Sequence, residues 1–215
     1  MNQFLRPSIN FLVWALCLAV AGCAGKPVQQ AAKNSPVVTA NVQKRDNGGV
    51  TVREGEIPRL YALAVSAMRQ NRDAEAEQAL RNILQIQPEH PGPYANLAIL
   101  YKKQGRLEDA ERVLVEALAR SPARVEYLNM LGVVKRQQGQ FAAAAEAYER
   151  ALAIDGNFSD AHYNLGILCD LYLGDYAKAT QHYERFLQLS ADQNSNKDVR
   201  VWLDDLKKRM HASGD

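Results

Sequence analysis

The chain has 215 residues, 47% of them apolar and 23% charged, which is enough for one ordinary domain plus tails. Its 26 basic and 24 acidic side chains nearly cancel and are interleaved, so no strong field draws in nucleic acid or an acidic surface. Cys17, Cys23 and Cys169 stand far apart with no C-x-x-C pair, which argues against a zinc site and a disulfide scaffold.

Met1 to Asn10 carries one basic side chain, Arg6, and no acid; Phe11 to Ala19 is a short apolar core, and Val20, Ala21 and Gly22 shrink toward Cys23. About 12 apolar or small residues span roughly 18 Å as a helix, short of the ~30 Å hydrocarbon layer, so the segment reads as an export signal and not a membrane span. The run VAGC resembles the lipobox of bacterial lipoproteins. That resemblance implies a lipoprotein signal peptide over 1–22 and a Cys23 that is diacylated on sulfur, in the manner of palmitate, becomes the new N-terminus and is acylated again on nitrogen. Two buried acyl chains already hold a protein stably, and a third makes release negligible. Ala24 stands where the family's inner-membrane retention signal has Asp. The resemblance therefore implies a lipid-anchored protein of the bacterial outer membrane, facing the periplasm.

Residues 23–56 follow as a flexible linker: Ala24 to about Glu56 has no aromatic residue and carries Pro27, Pro36, Gly48 and Gly49. A coil of ~30 residues reaches about 30 Å. Within it, NVQKRDNGGVTV has the turn signal of a small hairpin at Asn47 and Gly48, marginal on its own in water.

From Ile57 onward the chain repeats with a period of 34, in units 57–90, 91–124, 125–158 and 159–194. Pro88, Pro122 and Gly156 close successive units. Leu63, Leu97, Leu131 and Leu165 recur at one offset, each followed by a small residue: Ala64, Ala98, Gly132 and Gly166. Later offsets hold Ala76, Ala110, Ala144 and Ala179, then Leu80, Leu114, Tyr148 and Tyr183. These residues resemble the tetratricopeptide pattern of a leucine, a small residue, a later alanine, an aromatic and a closing proline. The resemblance implies an all-α solenoid of about four helix-turn-helix repeats, each burying its apolar face only against a neighbour.

Gly105, Gly139 and Gly174 fall at the break between the two helices of a unit, where a left-handed backbone is needed; Asn71 takes that place in the first unit. Gly132 and Gly166 are expected where the second helix crosses the first, with Ala144 answering from the other side, and Gly132→Leu is expected to overpack the pair by about 1 to 3 kcal/mol. The fourth unit has one extra residue between Leu165 and Gly174, so its first helix must be longer or contain a bulge; a looser turn is the expectation, with a bulge at a functional surface as the alternative. A capping helix is predicted over 195–210, with a capping box at Ser195 and Asp198 and an apolar face of Val199, Trp202, Leu203, Leu206 and Met210; 211–215 read as a disordered tail.

His162 and Cys169 lie seven apart on one helical face, a spacing compatible with a metal or a thiol nucleophile. No base, orienting group or third ligand stands beside them, and Cys169 occupies a core position of the repeat, so a buried thiol is the expectation. Phosphate-cradling loops, H-E-x-x-H and G-x-S-x-G are missing from the sequence, and no paired carboxylates stand in a context that could shift their pKa values. Neither catalysis nor a metal, cofactor or small-molecule substrate is expected.

The surface left for function is the concave wall lined by the first helix of every repeat. The family resemblance places ligand-facing residues there at Tyr61 and Val65; at Asn96, Ile99, Lys102 and Lys103; at Asn129, Val133 and Arg136; and at Tyr163, Asn164 and Ile167. Asparagines bond backbone amides, tyrosines add contact area at low entropy cost, and the basic trio suits an acidic end or side chain. The carboxylate clamp of chaperone-binding relatives is not matched, because its lysine and asparagine are Tyr61 and Val65. The chain is similar to lipoproteins of this repeat family that act as pilotins for type IV pilus secretins or serve tight-adherence pilus systems. That similarity implies a protein or peptide partner in cell-envelope assembly. The alternatives are a regulatory adaptor for peptidoglycan-remodelling enzymes and, third, an enzyme.

Overall fold

The computed structural model describes residues 55–190 and 193–213; the expected signal peptide, lipidated Cys23, linker and hairpin fall outside them, the linker up to residue 54. The described residues are helical: α1 (Glu56–Arg69), α2 (Asp73–Ile86), α3 (Pro91–Lys103), α4 (Leu107–Arg120), α5 (Val125–Gln137), α6 (Phe141–Ile154), α7 (Ser159–Leu168), a π-turn over Cys169–Leu173, α8 (Tyr176–Leu189) and α9 (Gln193–Ser213). Odd and even helices up to α8 pair as four hairpins stacked in chain order, a tetratricopeptide-type solenoid. Among the described residues no helix is long and apolar enough to cross a membrane.

Each hairpin turns on a left-handed residue. Asn71 has φ 56°, Gly105 73°, Gly139 76° and Gly174 68°. That conformation lets Arg72, Arg106 and Gln140 each donate a backbone hydrogen bond, at 2.9 Å, to a carbonyl five residues back, satisfying the ends of α1, α3 and α5. In the fourth hairpin Asp175 N reaches six residues back, to Cys169 O at 3.0 Å. The extra residue is thus absorbed in a π-turn, a bulge in the helix and not the looser turn expected, because a six-residue hydrogen bond keeps the hairpin closed. Helix starts are also chemically fixed: Pro91 sits at the first position of α3 with His90 Nδ1 accepting from Gly92 N, and Asp175 caps α8 by accepting from Lys178 N at 3.0 Å.

The core runs along the hairpin interiors and between hairpins, where Leu80, Leu97, Leu114, Leu128, Tyr148, Leu165 and Tyr183 are buried. Leu63 is 40% exposed, unlike Leu97, Leu131 and Leu165, because among the described residues no hairpin stands before α1. Gly132 and Gly166 do sit at a close approach, but the side chain that meets them is the Tyr148 or Tyr183 ring and not an alanine. A Cβ on Gly132 would lie 2.6 Å from Tyr148 Cδ1. Ala144 instead packs with Leu165 and Leu168 of the next repeat.

Polar hooks on the same 34-residue register tie the hairpins together. Glu77 on α2 accepts from Tyr101 Oη at 3.0 Å and pairs with Arg106 at 2.9 Å; one repeat later Glu111 on α4 pairs with Lys135 at 2.5 Å. The next register holds Ala145 and Cys169, and with no carboxylate to meet, the residue there is a small buried thiol.

Helix α9 closes the stack, burying Val199, Leu203 and Leu206 with Trp202 packed alongside, against Tyr183 and Phe186. It spans Gln193–Ser213, longer at both ends than the predicted 195–210, so Ser195 stands inside the helix and not at its cap, and helix runs into the expected tail.

Candidate functional site

The first helices α1, α3, α5 and α7 stand side by side and form one wall. Asn96 Nδ2 donates to Tyr61 Oη at 2.9 Å, Tyr127 Oη donates to Pro91 O at 2.7 Å, and Asn164 Nδ2 donates to Asn129 Oδ1 at 2.9 Å. Each bond joins consecutive first helices.

These bonds sort the sequence-predicted residues. Tyr61 and Asn96 are half-buried and bonded to each other, with Tyr61 stacked on His90; Asn129 and Asn164 are buried and also bonded to each other. The asparagines expected to meet a partner's backbone therefore build the wall itself. Lys103 turns back to the α1–α2 turn, donating to Asn71 Oδ1 at 2.7 Å and Asp73 Oδ1 at 3.2 Å, and its hydrogen bond holds the Asp73 carboxyl below the usual carboxylate range. Tyr163 packs between Phe186, at 5.1 Å between centroids, and Trp202, at 6.3 Å. Burial raises its phenol pKa.

Val65, Ile99, Val133 and Ile167 remain as a row of aliphatic side chains, one per repeat. Ile99 is 44% exposed and the other three are half-buried. Lys102 and Arg136 flank the row in adjacent repeats, and neither makes an ion pair among the described residues. Lys135, the neighbour of Arg136, is by contrast bonded to both Glu111 and Gln140. Arg136 lies over the Tyr172 ring at 5.8 Å and lowers the pKa of the Tyr148 phenol, which burial raises. Its Nε and the Tyr148 hydroxyl are both buried, and among the described residues no well-aligned hydrogen bond reaches either one.

Sequence reasoning missed three groupings. His162 meets His182 of α8, with the two Nδ1 atoms 3.0 Å apart, and Cys169 does not join them as a third ligand. Burial lowers both histidines, His182 to about 4, and burial raises the Cys169 thiol. Buried Asp170 binds Arg209 of α9 at 3.1 Å, a contact 39 residues apart that no local pattern announces. The π-turn exposes Leu171, Tyr172 and Leu173, and here a signal was present: the residue before the turn is Gln70, Gln104 and Gln138 in the other repeats. Among the described residues no three histidines, cysteines or acids come together as metal ligands.

Residues 60–90, 96–157 and 129–194 match family models described as tetratricopeptide repeat, together more than half the chain. Among curated proteins, the chain is 29% identical over 140 residues to mouse protein O-mannosyl-transferase TMTC1, covering 63% of this chain but only 15% of that protein. Among solved structures, a crystal structure of MamA aligns with a TM-score of 0.57 at 20% identity over 71% of this chain and 87% of that one. A mutant O-GlcNAc transferase of Thermobaculum terrenum aligns with a TM-score of 0.56 at 24% identity, over 65% and 27% of the two chains. These likenesses show the repeat fold.

Proposed function

We propose, from the premise that this chain belongs to the tetratricopeptide-repeat family, that it is a lipid-anchored adaptor holding a segment of a partner protein against the wall of first helices. One observation carries the reading: the aliphatic row of Val65, Ile99, Val133 and Ile167 is flanked by Lys102 and Arg136, neither of which is engaged by a carboxylate among the described residues. A row of apolar contacts beside uncommitted cations suits an amphipathic polypeptide, and a solenoid offers it an extended surface.

The lipobox-like run at Cys23 supports anchoring in the outer membrane, with the domain on the periplasmic side. The similarity to pilotin and tight-adherence lipoproteins supports a role in assembling envelope machinery such as a type IV or Tad pilus.

In-cell crosslinking from a photoreactive residue at Ile99 or Val133, followed by mass spectrometry, tests the groove. A discrete protein adduct is expected, absent from a control at Val115 on α4 and weakened by Lys102→Glu with Arg136→Glu. Capture unchanged in that double variant moves the binding site elsewhere. Metabolic labelling with an alkyne fatty acid, lost in Cys23→Ser, tests the anchor. Deletion of the gene separates the systems: loss of secretin multimers or pili supports pilus assembly, whereas altered cell-wall crosslinking with normal pili supports a peptidoglycan role.

A further inference from the structure

The turn of the fourth hairpin differs from the other three in length and in chemistry. Where the others place a glutamine before the left-handed residue, it runs Leu171, Tyr172, Leu173, and these side chains are 56%, 42% and 48% exposed. The inserted residue and its π-turn carry them out of the stack, and π-turns within helices are frequent at functional sites. Tyr172 leans back onto the preceding repeat, its ring 4.7 Å from that of Phe141 and 5.8 Å from the Arg136 guanidinium. The result is an apolar patch with a cation set in it. That cation has no carboxylate partner among the described residues, and the buried polar group beside it is the hydroxyl of Tyr148, a neutral phenol.

We infer that the fourth-repeat turn, together with Arg136, is a second docking surface of this chain, and that its occupant is an acidic segment of the partner polypeptide in which a carboxylate neighbours an aliphatic or aromatic side chain. Charge complementarity carries the choice of occupant. An arginine fork in a partly desolvated, aromatic setting favours a planar carboxylate, and the exposed leucines favour an apolar neighbour beside it. The aliphatic row passes this patch at its third member, since Arg136 flanks Val133, so a segment bound at the turn lies within reach of the row. The inference rests on the reading that the chain binds a polypeptide, and it adds the turn, which no other repeat possesses.

The test uses the full chain and, as probe, a random twelve-residue peptide display library. Selected peptides are then measured for affinity against Leu171→Ser with Leu173→Ser, Arg136→Gln, Arg136→Lys and Ile99→Asp. Each variant is checked for unchanged helix content and melting; the exposed leucine pair keeps the test valid if Arg136→Gln disturbs packing. Peptides enriched in Asp or Glu beside apolar residues are expected, with affinity falling about tenfold or more in Arg136→Gln and in the leucine pair. Partial retention is expected in Arg136→Lys. Peptides that lose affinity only with Ile99→Asp leave the groove reading intact and overturn the turn's role. Loss only in the turn variants keeps this inference and overturns the groove. Peptides indifferent to every variant, or no enrichment at all, overturn both. A mass doubled by self-association that the leucine pair abolishes overturns the inference in favour of a second copy.

Discussion

At the residue scale the packing problem of each hairpin is solved by matching volumes. Two repeats pair Ala64 with Leu80 and Ala98 with Leu114; two pair Gly132 with Tyr148 and Gly166 with Tyr183, so the larger ring is matched by a missing Cβ. Gly132→Ala puts a methyl group inside van der Waals contact of a fully buried ring that has little room to move. A destabilisation of about 1 to 3 kcal/mol is expected. Tyr148→Leu in that background reproduces the pairing of the first two repeats and should recover part of the loss. Denaturant titration of the four-member mutant cycle measures the effect, and additive values with no coupling would show that the ring and the glycine do not constrain each other. The sequence displayed the covariation of small and large positions. It did not say which side chain fills the gap, because Ala144 and Tyr148 are one helical turn apart and share a face.

At the element scale the fourth hairpin is held by two devices that lie off the repeat register, the His162–His182 contact between α7 and α8 and the Asp170–Arg209 pair between the π-turn and α9. Both escaped the sequence reading for the same reason: periodicity reveals what the repeats share, and these are what one repeat has alone. The helices, turns and aliphatic row were legible because 34-residue recurrence fixes them four times over. The bonded states of Tyr61, Asn96, Asn129 and Asn164 were not, because facing a groove and facing a neighbouring helix differ by less than one position. The histidine contact sets a pH dependence. Two neutral rings share one proton between their Nδ1 atoms; a further proton places two N–H groups face to face in a desolvated site. Lys178 and Arg185 also disfavour it and Asp175 favours it. Because the folded pKa values lie below the unfolded value of about 6.5, the unfolded chain binds more protons as pH falls. Stability is therefore level above about pH 7 and drops between about pH 6.5 and 4, most of it through His182. Thermal melts from pH 7.5 to 4.5 should show it. His182→Ala, which removes the ring that burial depresses most and installs the residue found at the matching positions Ala79 and Ala147, should flatten the slope, and a slope unchanged in that variant would assign it to other groups.

At the scale of the whole molecule each hairpin leans only on its neighbours, so stability is a chain of interface terms and the ends decide how far fraying spreads. Its C-terminal end is sealed by α9, which covers Tyr183 and Phe186 with Val199, Leu203 and Leu206 and contributes the only described arginine bonded to Asp170. Three buried aliphatic side chains are worth roughly 5 kcal/mol or more of burial, an appreciable share of the stability of a small domain. Truncation after residue 192 removes that term and also leaves the Asp170 carboxylate without its guanidinium. The first three hairpins keep their own interfaces, among them the Glu77 and Glu111 hooks. Loss should therefore be graded and not global: hydrogen exchange read by mass spectrometry should show α8 unprotected, α7 partly so, and α3 to α6 near their original protection. Leu206→Asp, a single change at a fully buried position of α9, should move the same amides in the same order. Uniform loss of protection through α3 and α4 would mean that the repeats fold as one cooperative block, and the nearest-neighbour account would fail. Graded loss has a functional corollary, because α7 carries Tyr163 and Ile167 and the π-turn carries Tyr172. The wall of first helices would then be dismantled from this end first, and the Val65 end of the aliphatic row would outlast the Ile167 end.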